Sequence, residues 1–244
     1  MVQAGRSRND RTLLLDAGNA LWSQQPLALQ TQSRIVIEAM NLLGYSAMAI
    51  GDLDLALGVD ILRHRMADAD FPVLSANVQL SATGELLARP YALVDVAGKA
   101  VGLIGLTGRP AQDRANAKSG IDFALLPADD VLPACIAELR ASTSIIIVLS
   151  TLGLEEDQRL SQMPGITMIL GGSTRSPMPR SWANTTTGTL VVQAGSQGEW
   201  IGVRRLFFDQ EHRLTKHADD LVYLTDDYPD DPQMRAFLDT YSAD

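Results

Sequence analysis

The sequence has 244 residues, of which 46% are apolar and 20% charged, with a formal net charge of -9 and an isoelectric point of about 4.8. This length allows one domain with a large buried core. The acidic charge argues against nucleic acid as a partner, because phosphate backbones are repelled. The single cysteine, Cys135, excludes an intrachain disulfide and a zinc site built from several thiolates.

The sequence shows no segment for membrane insertion or export. No apolar run approaches the roughly 20 residues that a membrane span needs. Residues 1–11 are polar and basic and lack the apolar core of a signal peptide. We therefore predict no membrane span and leave the compartment open.

Short apolar runs that end in turns alternate with amphipathic segments along the chain. Strands are predicted at 13–15, 47–50, 71–77, 91–96, 99–106, 144–149, 166–170, 189–193 and 200–209, and helices at 31–43, 59–67, 127–140, 154–160 and 234–241. Continuous apolar strands are typical of sheets that are covered on both faces. Hairpins mixed with crossovers therefore predict a mixed sheet, or a two-sheet α/β sandwich.

The turn after strand 47–50 is the first candidate for a functional site, because ligands of open α/β sheets bind where strands end. It reads Gly51-Asp52-Leu53-Asp54 and has no histidine. Asp52 and Asp54 have two interpretations. They are ligands for a cation, or they are acids at the start of the next helix, where the helix dipole favours negative charge.

Seven segments in order resemble the calcineurin-like metallophosphatase domain of the 5'-nucleotidase family, over about Thr12 to Tyr241. They are LLLDAG at 13–18, IEAMN and LGY at 37–45, FPVLSANV at 71–78, VGLIGLT at 101–107, IVLS and LG at 147–153, LGG at 170–172 and QAGS at 193–196. The resemblance implies a four-layer α/β/β/α sandwich with two divalent metals at the strand ends. The family's first strand, which carries a D-x-H motif, would precede Leu13, so we expect that strand to be missing.

The metal-binding motifs of the family are altered in this sequence. The resemblance implies metal ligands or a catalytic histidine at six positions, which hold Asn19, Asp52, Leu53, Thr151, Ser173 and Arg175. A bridging aspartate would stand where Asn19 is, and the histidine that acts as general acid where Leu53 is. Arg175 replaces a ligand histidine and adds a permanent positive charge that opposes a dication.

These changes lead us to expect a non-catalytic binding or scaffold module without a metal cofactor, whose partner is a protein or a small anion. Ser173, Thr174 and Arg175 offer hydroxyls, backbone N–H groups and a guanidinium for an anion, although an ordinary polar loop would look the same. The alternative is a metal-dependent phosphoesterase or 5'-nucleotidase. Its rearranged site would hold one Mg²⁺ or Ca²⁺ with oxygen ligands, taken from Asp16, Asp52, Asp54 and Asn77.

The end of the sequence suggests a boundary. We predict a metallophosphatase-like domain over 1–225 and a linker with a helix over 226–244. In the family a similar linker leads to a C-terminal substrate domain. The strand edge beside Leu13 would be unpaired, so a second copy could cover it and form a homodimer. Members of the family are often exported, but the sequence itself leaves the localisation open.

Overall fold

The computed structural model describes residues 11–109, 123–173 and 176–242. The strands of this part are β1 (Leu15–Asp16), β2 (Ala47–Ala49), β3 (Val73–Leu74), β4 (Val78–Leu80), β5 (Tyr91–Val96), β6 (Lys99–Leu106), β7 (Phe123–Leu125), β8 (Ile146–Ser150), β9 (Met168–Gly171), β10 (Trp182–Ala183), β11 (Leu190–Gln193), β12 (Trp200–Phe208) and β13 (Leu214–Tyr223). The helices are α1 (Pro26–Gln30), α2 (Arg34–Leu43), α3 (Val59–Asp68), α4 (Ala128–Arg140), α5 (Leu154–Leu160) and α6 (Pro232–Ser242), with a 3₁₀ turn at Asp54–Leu57.

Two sheets form the centre of the molecule. The smaller sheet is parallel, in the order β1-β2-β3, with Leu15 opposite Ala47 and Met48 opposite Val73. The larger sheet has the order β10-β11-β9-β8-β6-β5, in which the four central strands are parallel and the two edge strands antiparallel. Carboxyl ends of parallel strands therefore gather at one edge of each sheet.

The two sheets pack face to face through small and branched side chains. Ala47, Ala49 and Leu74 of the smaller sheet belong to one buried cluster with Leu103 and Leu149 of the larger sheet. The sheets approach closely because β6 has a glycine at the contact. A Cβ on Gly105 would lie 2.4 Å from the carbonyl oxygen of Leu74.

Helices cover the outer faces of both sheets. Ile37 and Met40 of α2 and Leu62 of α3 pack with Met48 of the smaller sheet. On the other side, the apolar faces of α4 and α5 pack on the larger sheet through Leu132, Leu139, Leu160, Ile104, Ile146 and Val148. The layers are therefore helix, sheet, sheet and helix, the α/β/β/α sandwich that the resemblance implied. The prediction of a missing first strand stays a prediction.

Several elements were not predicted from the sequence. The hairpin of β5 and β6 around Ala97 and Gly98 is confirmed, and α5 has the predicted bounds. The residues after His212, which we interpreted only as acidic, form β13 and pair with β12 over nine positions. The short elements α1, β4, β7 and β10 were also missed. Exposed and less exposed positions do not alternate along β13, so the sequence has no period-two pattern that marks this strand.

Helix α6 returns to the first helical layer. The Tyr241 hydroxyl donates a hydrogen bond to the Glu38 carboxylate of α2, and the Arg34 guanidinium carbon lies 5.9 Å from the centre of the Tyr241 ring. The proposed boundary between 225 and 226 stays a prediction. None of the helices in the described residues is long and apolar enough to span a membrane.

Candidate functional site

The turns that follow β1, β2, β8 and β9 meet at one edge of the sandwich. A Cβ on Gly18 would lie 2.8 Å from the Thr151 methyl carbon and 2.9 Å from the Gly51 Cα. A Cβ on Gly172 would lie 3.0 Å from the Ala17 side chain, and one on Gly153 would lie 3.8 Å from the Ser173 hydroxyl. Glycines at these positions allow the turns to approach. The structure thus brings the turns of Asn19, Asp52, Leu53, Thr151 and Ser173 together, while Thr174 and Arg175 lie outside the described residues.

Asn19 joins the first two turns through its side-chain amide. Its Oδ1 accepts a hydrogen bond of 2.8 Å from the Leu53 backbone N–H, and its Nδ2 donates one of 3.0 Å to Asp52 Oδ1. Asn19 has a φ of 68°, a left-handed conformation that asparagine tolerates better than most residues. A Cβ on Gly51 would lie 2.0 Å from Asn19 Oδ1. The two turns are therefore in direct contact.

Asp54 is completely buried and binds four backbone N–H groups. Its Oδ1 accepts hydrogen bonds from the N–H groups of Leu21 and Trp22, at 3.0 and 3.1 Å. Its Oδ2 accepts from Asn19 and Gly51, both at 2.9 Å. Burial raises the pKa of Asp54 to about 7, and these N–H donors oppose that rise because they favour the carboxylate. Asp54 thus anchors the segment from Asn19 to Trp22 to the second turn.

Asp16 lies at the end of β1 beside these residues. Its Oδ1 accepts a hydrogen bond of 2.8 Å from the Gly18 N–H, which closes the first turn. Burial raises the pKa of Asp16 to about 6. Burial also raises the pKa of Tyr45 to about 12, with the negative charge of Asp16 as a second cause. Asp16 is therefore a desolvated carboxyl close to a phenol.

The side chains of Asn77 and Thr151 form hydrogen bonds that hold the loop after β6. Asn77 Oδ1 accepts from the Thr107 N–H at 2.8 Å, and Asn77 Nδ2 donates to the Thr107 carbonyl at 2.8 Å. The Thr107 hydroxyl donates to the Ile50 carbonyl at 2.7 Å. The Thr151 hydroxyl accepts from the Gly108 N–H at 2.9 Å. Both side chains therefore fix backbone positions at the strand ends.

A second buried carboxyl, Asp157 of α5, lies under the glycine turn and was not identified from the sequence. Its Oδ1 accepts a hydrogen bond of 2.6 Å from the Ser150 hydroxyl, while its Oδ2 is buried without a hydrogen-bond partner. Burial raises its pKa to about 7. Asp157 lies three residues from both Leu154 and Leu160, on the apolar side of α5. That spacing was the available signal that its carboxyl points inward.

The resemblance implies a pair of divalent ions at these strand ends, and the donor set does not fit them. Such ions need several carboxylate or imidazole ligands that converge on the same point. Here Asp54 uses both oxygens for N–H donors, Asn77 uses its amide for Thr107, and Leu53 has no donor atom. In residues 11–109, 123–173 and 176–242, no three His, Cys, Asp or Glu side chains form a group that could hold a metal ion.

Comparisons with known proteins relate the chain to one group of enzymes. A rat protein named 5'-nucleotidase is 28% identical over 282 aligned residues, which cover 99% of this chain and 47% of the relative. The crystal structure of a 5'-nucleotidase precursor from Thermus thermophilus superposes with a TM-score of 0.87 at 28% identity, covering 99% of this chain and 51% of that one. A calcineurin-like phosphoesterase from Bacillus subtilis, YfkN, shares the fold with a TM-score of 0.80 at 22% identity, over 99% of this chain and 86% of that one.

No protein-family model matches the sequence. The chain spans about half the length of the rat relative and of the Thermus protein. The alignments nevertheless extend over almost every residue of this chain. The chain is therefore similar to 5'-nucleotidases over nearly its whole length and has the α/β/β/α fold of their metallophosphatase domain.

Proposed function

We propose that this chain is a non-catalytic metallophosphatase-like domain that acts as a binding or scaffold module. The observation that carries the proposal is the side-chain amide of Asn19. It stands where the family resemblance implies a bridging carboxylate, and it is used to hydrogen-bond Asp52 and the Leu53 N–H. A neutral amide in this position cannot supply the negative charge that would hold two dications together.

The proton-transfer group of the family is also replaced. Leu53 stands where the resemblance implies the histidine that acts as general acid. A leucine side chain cannot donate a proton to a leaving oxygen, and general acid catalysis typically contributes 10²–10⁴-fold to a rate. Among the described residues at this edge, each carboxyl with a raised pKa accepts at least one hydrogen bond from a backbone or hydroxyl donor. These features support loss of hydrolysis together with retention of the scaffold.

The alternative function is metal-dependent hydrolysis of a nucleotide or another phosphate monoester. It is favoured by the names of the relatives, which include 5'-nucleotidases of rat and Thermus thermophilus. A single hard cation would have to use Asp16 and Asp52, since Asp54 and Asn77 are engaged elsewhere. Two carboxylates leave most of the coordination of Mg²⁺ to water and substrate phosphate, as in many phosphoryl-transfer sites.

Assays of hydrolysis and of metal binding decide between these two functions. The protein is incubated with AMP and with an aryl phosphate in Mn²⁺, Zn²⁺, Mg²⁺ or Ca²⁺, and cation binding is measured by calorimetry. We expect no turnover and no tight binding of two ions. Asp52→Ala is the control, because hydrolysis that this variant retains in full comes from a contaminating phosphatase. Cation-dependent turnover that disappears in Asp52→Ala would contradict the proposal.

The ligand of the module is proposed to be a small anion or a protein. Ser173 is exposed next to the β8 turn, where its hydroxyl faces Gly153. Together with Thr174 and Arg175, it would offer hydroxyl groups and one guanidinium to a bound anion. Thermal shift with phosphate, sulfate and nucleotides tests this, with Arg175→Ala as the variant. The control is Arg180→Ala, which removes an exposed arginine further along the same loop. A thermal shift that Arg175→Ala abolishes and Arg180→Ala retains supports this anion site. If no anion shifts the Tm of any of the three proteins, the anion site is refuted.

The edge of β1 remains the proposed contact for a second copy of the chain. In the described residues β1 pairs with β2, and an open strand edge can accept another strand. Light scattering after size exclusion measures this directly. A monomer at micromolar concentration would remove the homodimer from the proposal.

A further inference from the structure

The contact between the first two strand-end turns carries a further inference. We propose that hydrogen bonds take the place of a bridging metal pair here, so that the fold of this edge does not depend on a divalent ion. The group consists of Asn19, Gly51, Asp52, Leu53 and Asp54, and we call it the clasp. The inference rests on the proposed function, because both require that no metal pair holds these turns.

The clasp joins the two turns through the side chains of Asn19, Asp52 and Asp54. From the first turn, the Asn19 amide donates to Asp52 and accepts from Leu53, at 3.0 and 2.8 Å. From the second turn, Asp54 accepts from the N–H groups of Asn19, Leu21 and Trp22, at 2.9 to 3.1 Å. Five hydrogen bonds therefore cross from one turn to the other. This set fixes the separation and orientation of the ends of β1 and β2.

The space between the turns suits these hydrogen bonds and no bridging ion. An Mg²⁺ or Ca²⁺ ion between two groups needs an oxygen ligand on each of them, at about 2.0–2.6 Å from the ion. Asn19 Oδ1 lies 2.8 Å from the Leu53 nitrogen, and a Cβ on Gly51 would lie 2.0 Å from the same oxygen. The positive N–H end of Leu53 faces the oxygen directly, in the position where a cation would have to bind.

Only an amide completes this arrangement. A carboxylate at position 19 would still accept from Leu53, but it would have no hydrogen to donate to Asp52. Two carboxylates would then face each other at about the present 3.0 Å separation, and like charges so close strongly disfavour joint ionisation. The Asn19→Asp substitution would thus place a second carboxyl beside that of Asp52, and two carboxylates together with water can hold Mg²⁺. The thermal stability of the Asn19→Asp protein should therefore depend on the cation.

Thermal unfolding of the wild type and of Asn19→Asp, in EDTA and in millimolar Ca²⁺, Mg²⁺ or Mn²⁺, tests the clasp at pH 8. We expect the wild-type Tm to be the same in all buffers. In EDTA the Tm of Asn19→Asp should be lower by about 4–8 °C, and at least one cation should restore most of this loss. Asn184→Asp is the matched control. It removes an amide donor from the Ser161 hydroxyl, with no carboxylate among its hydrogen-bond partners.

A second variant, Asn19→Gly, keeps the left-handed backbone and removes both side-chain hydrogen bonds. It should lose stability in EDTA and gain none from cations, and it provides the test if Asn19→Asp does not fold. The clasp is overturned if EDTA lowers the wild-type Tm, if Asn19→Asp is as stable as the wild type in EDTA, or if no cation reverses its loss. Hydrolysis by the wild type would instead refute the proposed function, whatever the behaviour of the position 19 variants.

Discussion

The Ser150 hydroxyl donates a hydrogen bond of 2.6 Å to Asp157 Oδ1, and both residues are completely buried. The same hydroxyl accepts from the Leu152 N–H at 3.1 Å. Asp157 therefore orients Ser150, and Ser150 orients the turn that contains Thr151. This connection links α5 to the edge where the strand ends meet.

Asp157 makes stability depend on pH in a defined direction. Burial raises its pKa from 3.8 to about 7, so the folded protein binds the proton more tightly than the unfolded chain. The stabilisation is complete below pH ~4 and is lost as pH rises through ~7. In Asp157→Asn this loss is absent. We expect the free energy of unfolding to fall between pH 4.5 and 7.5 by on the order of 3 kcal/mol more in the wild type than in the variant.

Urea denaturation across this pH range measures that difference. Glu155→Gln is the matched control, since it removes the same charge from an exposed position of the same helix. The other carboxyls with raised pKa values, Asp16 and Asp54, also lower the free energy of unfolding as the pH rises. The difference between the wild type and Asp157→Asn therefore isolates the contribution of Asp157. Parallel pH profiles for the wild type and Asp157→Asn would contradict the prediction.

The close approach of the two sheets predicts unequal effects for two glycines of β6. A Cβ on Gly105 would lie 2.4 and 2.6 Å from the backbone oxygen and carbon of Leu74, which cannot move without shifting β3. A Cβ on Gly102 would lie 2.9 Å from Leu139 Cδ1, the end of a side chain that can change rotamer. We expect Gly105→Ala to lose about 3 kcal/mol or more and Gly102→Ala less than about 1.5 kcal/mol.

Chemical denaturation of the two variants checks this ranking, and each variant is the control for the other because both add one methyl group to the same strand. A Gly105→Ala protein as stable as Gly102→Ala would show that the sheets can separate at little cost.

A buried ion pair within the β12–β13 hairpin also binds the loop after β9. The Arg204 Nε lies 3.6 Å from Asp219 Oδ1, and their side chains are only 5% and 8% exposed. Asp219 also accepts hydrogen bonds from the N–H and hydroxyl of Ser181, at 2.6 and 2.8 Å. Asp219→Asn leaves the Arg204 charge buried without its counter-charge. We expect it to cost about 3–5 kcal/mol and to expose residues 176–183 to proteases.

Equilibrium unfolding and limited proteolysis test this prediction together. Asp220→Asn provides the control, because Asp220 is the exposed neighbour, and its hydrogen bond with Arg204 uses the backbone carbonyl, which the substitution keeps. If Asp219→Asn and Asp220→Asn were equally stable and equally resistant to protease, the ion pair would not hold the loop.

Elements with a strong local signal were predictable from the sequence. The turn Ala97-Gly98 between two apolar runs defined the β5–β6 hairpin, and Leu154 with Leu160 defined α5. Strand β13 had no such signal. Its inner face includes Asp219, which is buried only because the register of the hairpin places it opposite Arg204. The pairing of two charges across a hairpin depends on the folded structure, whereas hydropathy assigns both residues to the surface.

The candidate site was predictable in position but not in its contacts. The order of the motifs indicated which turns meet, and the structure places Asn19 and Thr151 at that edge. The partners of each side chain depend on distances that a sequence does not contain. Asp54 does begin the 3₁₀ turn, in agreement with its interpretation as a helix-start acid. The sequence does not show that N–H groups from two separate segments enclose its carboxylate.

The contact of Tyr241 with Glu38 has a consequence for the order of folding. These residues are 203 positions apart in the chain, so their contact closes a very long loop. Such a contact gains little until the intervening segments are already compact, because the entropy lost on closing a loop increases with its length. Helix α6 should therefore dock after the two sheets have assembled, and it should be the first helix to detach when the protein begins to unfold.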